Sequence, residues 1–194
     1  MTLPTDETTE RFTPVQWLSR ANDGRLLDDE QMVRSSLVGA FEAARKPKDI
    51  SRVVAVYEDL GWQVEPANYP SVAELLAEDC SDWLDCAQLW GRDSPDDYYR
   101  CVASAEARAG STSDWLACLR TWKTPRNFAS EPIERCGKEA EKLSSSTLQW
   151  LECAATWRDV GDDAGLRRCV RGAEFSAQTF EDWIILVQIG RAHV

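Results

Sequence analysis

Seven cysteines, nine tryptophans and one histidine bound the chemistry open to this 194-residue chain. The histidine is His193, so there is no imidazole partner for a Ser–His–Asp triad, a Cys–His dyad or an HExxH zinc site. The cysteines contain no CxxC pair, which leaves zinc without its usual thiolate spacing. No glycine-rich phosphate loop is present. The acid pairs Asp96-Asp97 and Asp162-Asp163 have the composition for acid–base work. They fall, however, where helices are expected to begin, and acids there are accounted for by the helix dipole. No enzyme activity, cofactor or metal is therefore expected.

Six of the cysteines recur in register: Cys86, Cys118 and Cys153 in one set, Cys101, Cys136 and Cys169 in another. One reading makes them reduced, buried small hydrophobes filling a tight layer, slow to alkylate until the chain unfolds. The other pairs them as Cys86–Cys101, Cys118–Cys136 and Cys153–Cys169 in an oxidising compartment, and no export signal supports it. Cys80 falls outside both sets and is expected to be exposed or interfacial, the first thiol to react. Arg100, Arg135 and Arg168 each precede a cysteine of the second set. They are placed to form a surface ladder with Glu106, Glu141 and Glu174 of neighbouring units. Eight of the nine tryptophans hold recurring positions and are assigned to packing. Trp62, after Leu60-Gly61, is assigned to a turn.

The elements that position these residues are written as a repeat. Asp82-Trp83-Leu84-Asp85-Cys86-Ala87 returns as Asp114-Trp115-Leu116-Ala117-Cys118-Leu119 and as Gln149-Trp150-Leu151-Glu152-Cys153-Ala154, and its opening returns as Asp182-Trp183-Ile184. The steps between these tryptophans are 32, 35 and 33 residues, a period that marks one supersecondary unit stacked on copies of itself. A second tryptophan follows seven residues later, at Trp90, Trp122 and Trp157. Each unit then carries Cys-x-x-x-Ala-Glu, ending at Glu106, Glu141 or Glu174.

Apolar residues at offsets 0, +1, +3, +4 and +7 from the leading tryptophan lie on one face of an α-helix. Hydroxyls and acids nearby (Ser81, Ser113, Ser146 and the Asp or Gln before the tryptophan) suit the free amides of its first turn. A second helix begins at Ser94-Pro95-Asp96, Ser130-Glu131-Pro132 and Gly161-Asp162-Asp163 and carries Ala105, Ala140 and Ala173 where two backbones can approach. Weaker copies of the period begin at Asp49-Ile50, with Tyr57 in the second aromatic place, and at Gln16-Trp17-Leu18. The expected fold is all-α: a right-handed αα-solenoid of about five helix-turn-helix units near 16–48, 49–81, 82–113, 114–148 and 149–181, with the start of a sixth at 182–188. Residues 1–13 are expected to be a disordered leader. The register asks for an aromatic at position 190 and meets Gly190. Residues 189–194 are therefore expected to be a non-native tail, and the natural protein to continue past residue 188.

The repeat resembles the tetratricopeptide repeat over about residues 49–188. The unit from Trp150 carries the resemblance best, with Cys153, Ala154, Trp157, Gly161-Asp162 and Ala173. It departs from that family in having Cys for the usual Leu, no terminal Pro and uneven turns. The resemblance implies peptide or protein binding on a concave surface lined by first-helix residues at offsets −2, +5, +8 and +9. Here those are Ser81, Gln88, Arg92, Ser113, Arg120, Lys123 and Arg158, with Asp159 the one acid among the long side chains. The unit from Trp115 to Gln149 has six bases against four acids, so the middle of the groove is expected to be basic and its partner acidic.

A net charge of −11 argues against nucleic acid. No apolar run is long enough to span a membrane, and a cytoplasmic location is expected. The function expected is an interaction scaffold. The alternative is a regulatory or sensor module whose output domain lies beyond the repeat.

Overall fold

The computed structural model describes residues 12–64, 67–91, 94–123 and 130–191. All regular structure among these residues is helical, in eleven helices packed as sequential neighbours. They are α1 (Pro14–Leu26) and α2 (Glu30–Ala43), α3 (Pro47–Asp59) and α4 (Tyr69–Leu75), α5 (Cys80–Trp90) and α6 (Pro95–Glu106), α7 (Thr112–Trp122) and α8 (Ser130–Leu143), α9 (Thr147–Val160) and α10 (Asp163–Ser176), and α11 (Phe180–Arg191). Each odd-numbered helix through α9 packs on the helix that follows it, and α3, α5, α7 and α9 also pack side by side. Of the expected leader only Phe12 and Thr13 are described, and Thr13 caps α1. Of the expected tail, residues 192–194 lie outside the described residues, while the α11 backbone runs on to Arg191.

The residue before each leading position explains why the odd helices start where they do. Gln16, Asp49, Asp82, Asp114, Gln149 and Asp182 all reach back to accept from backbone amides three or four residues upstream. Asp79, Ser111 and Ser146 return the bond to the third helical residue, which completes a capping box that satisfies amides on both sides of the boundary. This corrects the placing of Ser81 and Ser113 as cap hydroxyls. Both stand one residue inside the helix, exposed, because the helices begin at Cys80 and Thr112.

The same boundary corrects the reading of Cys80. It is the first residue of α5, three before Trp83, as Thr112 and Thr147 are three before Trp115 and Trp150. All three side chains are buried, Cys80 at 3 % exposure and each Thr at 2 %. Cys80 is thus in register and enclosed, not exposed. Its phase escapes the sequence because the residue type at this position changes from unit to unit: Pro47, Cys80, Thr112, Thr147, Phe180.

The +7 tryptophans Trp122 and Trp157 are buried, while Trp90 and the leading Trp83, Trp115 and Trp150 are half-buried. Trp17 and Trp150 press against the second helix of their own pairs, and at the closest approach that helix has glycine. A Cβ on Gly172 would come within 2.5 Å of the Trp150 ring, and on Gly39 within 2.6 Å of Trp17. Trp62 packs under the Arg34 guanidinium, 4.2 Å from the ring centre. The six phased cysteines are wholly buried and form no disulfide.

A polar cluster recurs where one helix pair meets the next. Glu74 accepts from the indole N–H of Trp90, from both terminal nitrogens of Arg100 at 2.8 Å, and from the Cys101 thiol at 3.5 Å. Glu106 accepts in the same way from Trp122, Arg135 (2.8 Å) and Cys136 (3.5 Å). Glu141 accepts from Trp157 at 2.7 Å and Arg168 at 3.0 Å. The carboxylates are mostly buried and the guanidiniums half-exposed, so this is more than the surface ladder expected from the sequence. Each Glu of one pair binds an indole and a guanidinium of the next, and Glu74 and Glu106 bind a thiol as well. Burying a carboxylate is tolerable here because charged and neutral donors fill its lone pairs. The Cys101 and Cys136 thiols, on the second helices, fill the inner side of the Glu74 and Glu106 carboxylates. Glu174, the next in the series, is exposed.

Candidate protein-binding surface

The residues expected to line a groove divide between the two ends of the first helices. Ser81 and Ser113 lie in the first turns of α5 and α7 and are exposed. Gln88 and Arg120 lie seven residues further on, about 10 Å along the helix at ~1.5 Å per residue. Arg92 lies outside the described residues. Gln88, Arg120 and Arg158 are exposed and Lys123 is half-buried.

Three of the bases converge where α7 meets α9. Arg120 donates from one guanidinium nitrogen to the Thr156 hydroxyl at 3.1 Å, and that hydroxyl donates in turn to the Glu152 carbonyl at 2.9 Å. The Lys123 ammonium donates to the Asp159 carbonyl oxygen. Arg158, one residue before, lies 3.8 Å from the Asp159 carboxylate. Arg120 and Lys123 therefore bind the neighbouring helix as well as facing outward, which fixes where their charges stand. A guanidinium has five N–H donors, and the bond to Thr156 uses one of them. The Arg158 end of the patch is more neutral, because Asp159 sits beside it.

The sequence does not identify Thr156, which is 2 % exposed and holds Arg120. Its signal was present: Thr121 and Thr156 both stand six residues after a leading tryptophan. Both donate to the carbonyl four residues back, Thr121 to Ala117 at 2.9 Å. A separate cleft of about 700 Å³ lies at the other end of the molecule, between α1 and α2, lined by Phe12, Trp17, Arg20, Gly39, Glu42 and Arg45. None of the residues expected to bind a partner reaches it.

Comparison with protein-family models, curated proteins and solved structures finds no match to this chain. The surface must accordingly be judged on its own chemistry. It offers hydrogen-bond donors on long side chains, fixed in position, above a layer of packed first helices. Among the described residues no group of His, Cys, Asp and Glu side chains is arranged to hold a metal ion, and no helix is long and apolar enough to cross a membrane.

Proposed function

We propose that the chain is a protein–protein interaction scaffold. It is a right-handed αα-solenoid of five tetratricopeptide-like hairpins that takes an acidic peptide or protein segment across its first helices, in the cytoplasm. The observation that carries this reading is the convergence of Arg120, Lys123 and Arg158 at the α7–α9 joint of a chain whose net charge is −11. Bases gathered on one face of an acidic protein create a local positive field that draws acidic partners there, while the acidic remainder of the surface repels them. Side-by-side packing of α3, α5, α7 and α9 supports a continuous binding face.

The probe is a labelled, Glu-rich peptide with a free C-terminal carboxylate, measured by fluorescence anisotropy. Replacing Arg120 and Arg158 with Glu is expected to weaken binding by about 1–3 kcal/mol for each charge-assisted hydrogen bond removed. Binding to the unmodified chain should weaken with added salt. Equal affinity of the double variant, with an unchanged helical spectrum, would count against this surface as the binding face.

A further inference from the structure

Cys80 and Cys118 are the one pair of thiols from different helix pairs that the structure brings into direct contact, with their sulfurs 3.7 Å apart. Cys80 opens α5 and Cys118 lies in the middle of α7, so the contact joins two side-by-side first helices. The equivalent position in the next two pairs holds Thr112 and Thr147. A small polar group is therefore all that packing requires there, and the thiol at residue 80 is surplus to it. Cys80 is also the one cysteine of the seven with any solvent exposure, 3 % against 0 % for the others. It sits at the N-terminal end of its helix, where the dipole favours a thiolate.

We infer that Cys80 and Cys118 form a peroxide-driven disulfide that staples α5 to α7. The Cys80 thiol gives up its proton, and its sulfur attacks one oxygen of hydrogen peroxide. The O–O bond breaks, and the leaving hydroxide takes the proton to become water. The sulfenic acid left on Cys80 is then attacked by the Cys118 sulfur. An S–S bond forms, the S–O bond breaks, and the departing hydroxide takes the Cys118 proton as a second water. Two thiols are oxidised by two electrons, and one peroxide is reduced to two waters.

The hydrogen bond from the Cys118 thiol holds the Cys80 pKa below its ordinary value, whereas that bond and burial both push Cys118 up. The residual exposure of Cys80 at the start of α5 assigns it the attack on peroxide, and the fully enclosed Cys118 the resolving step. Burial, above all, pushes Cys86 and Cys101 up to about 12, which keeps them protonated. Cys153 and Cys169 belong to one helix pair, and both side chains are fully enclosed.

The test uses the full chain, folded, treated with a small excess of hydrogen peroxide and mapped by mass spectrometry without reduction. The expected product is lighter by two hydrogens and yields a peptide linked through Cys80 and Cys118. In a non-reducing melt it unfolds at a higher temperature than the untreated chain. Cys80→Thr places in α5 the residue already found at the start of α7 and α9, so the fold is retained. That variant should give neither the linked peptide nor the shift. A first bridge between Cys153 and Cys169, or a Cys80 sulfenic acid that persists without pairing, would overturn the inference. So would a linked product that also forms in Cys80→Thr.

Discussion

At the scale of single residues, much of the joining between helix pairs falls to a carboxylate that serves three donors at once. Glu106 accepts from an indole, a guanidinium and a thiol that belong to the following helix pair. Replacing it with Ala leaves the Trp122 N–H and the Cys136 thiol buried without an acceptor. The expected cost is about 1–3 kcal/mol, a value typical of orphaned buried donors and kept at the low end by the half-exposed arginine. Trp122→Ala should cost more, about 3–5 kcal/mol, because it opens a cavity as well as removing the bond. Urea denaturation of the two variants gives the order. An E106A variant as stable as the parent would mean that water replaces the carboxylate freely. The spacing of Arg, Cys and Glu was legible in the sequence. The direction of the pairing was not, because a period fixes positions along the chain and not which neighbour each side chain faces. Glu74 and the indole were missed for that reason.

At the scale of elements, the existence and pairing of helices were more legible than their boundaries. The +3 and +4 apolar spacing revealed the first helices, and Pro95 and Asp163 marked where second helices begin. Ser81 and Ser113 misled because a hydroxyl near a helix start is a good cap only at one position. The capping residues are Asp79 and Ser111, one residue before the first helical turn. The consequence is measurable. Ser111→Ala should destabilise the chain by about 0.5–2 kcal/mol through the loss of the bond to the Asp114 amide. Ser113→Ala, exposed inside the helix, should be neutral or slightly stabilising, since Ala has the better helix propensity. Equal destabilisation of the two variants in a thermal melt would contradict the boundary. Within the candidate surface, Arg120 and Lys123 were legible as long basic side chains in register. Their engagement with Thr156 and the Asp159 carbonyl was not, because it depends on the distance between α7 and α9, which one-dimensional spacing does not contain.

For the molecule as a whole, titration of carboxyls and of buried thiols is linked to stability at the two ends of the pH range. The bond from Arg100 holds the Glu74 carboxyl below its ordinary 4.5, and the Asp82 amide holds Asp79 below 3.8. A carboxyl whose folded pKa is depressed adds stability above its unfolded pKa, and loses it as pH falls through the folded value. Stability should therefore decline below about pH 4.5. Burial raises the thiols Cys86 and Cys101 from 9.0 to about 12. A raised folded pKa has the opposite effect: the folded chain holds its protons while the unfolded chain releases them. Stability should fall as pH climbs from 9.0 toward 12. Urea midpoints taken across this range should form a plateau between the two declines. A midpoint still rising above pH 9.0 would mean that these thiols are ionised in the folded chain.

The three carboxylate clusters also give the array a mechanical polarity. In each, the acceptor comes from the earlier helix pair and the donors from the later one. A load applied along the chain meets, beside a hydrophobic core shared from α3 to α10, a series of separate catches, each of which must release an indole and a guanidinium together. Detaching the last pair strips Glu141 of its donors and leaves Glu106 fully engaged. Under tension the catches are expected to release one at a time: a pair leaving from the C-terminal end bares a carboxylate, and one leaving from the N-terminal end bares an indole and a guanidinium. Each release would let out one unit of 32–35 residues, a contour length of about 11–12 nm at ~3.5 Å per extended residue.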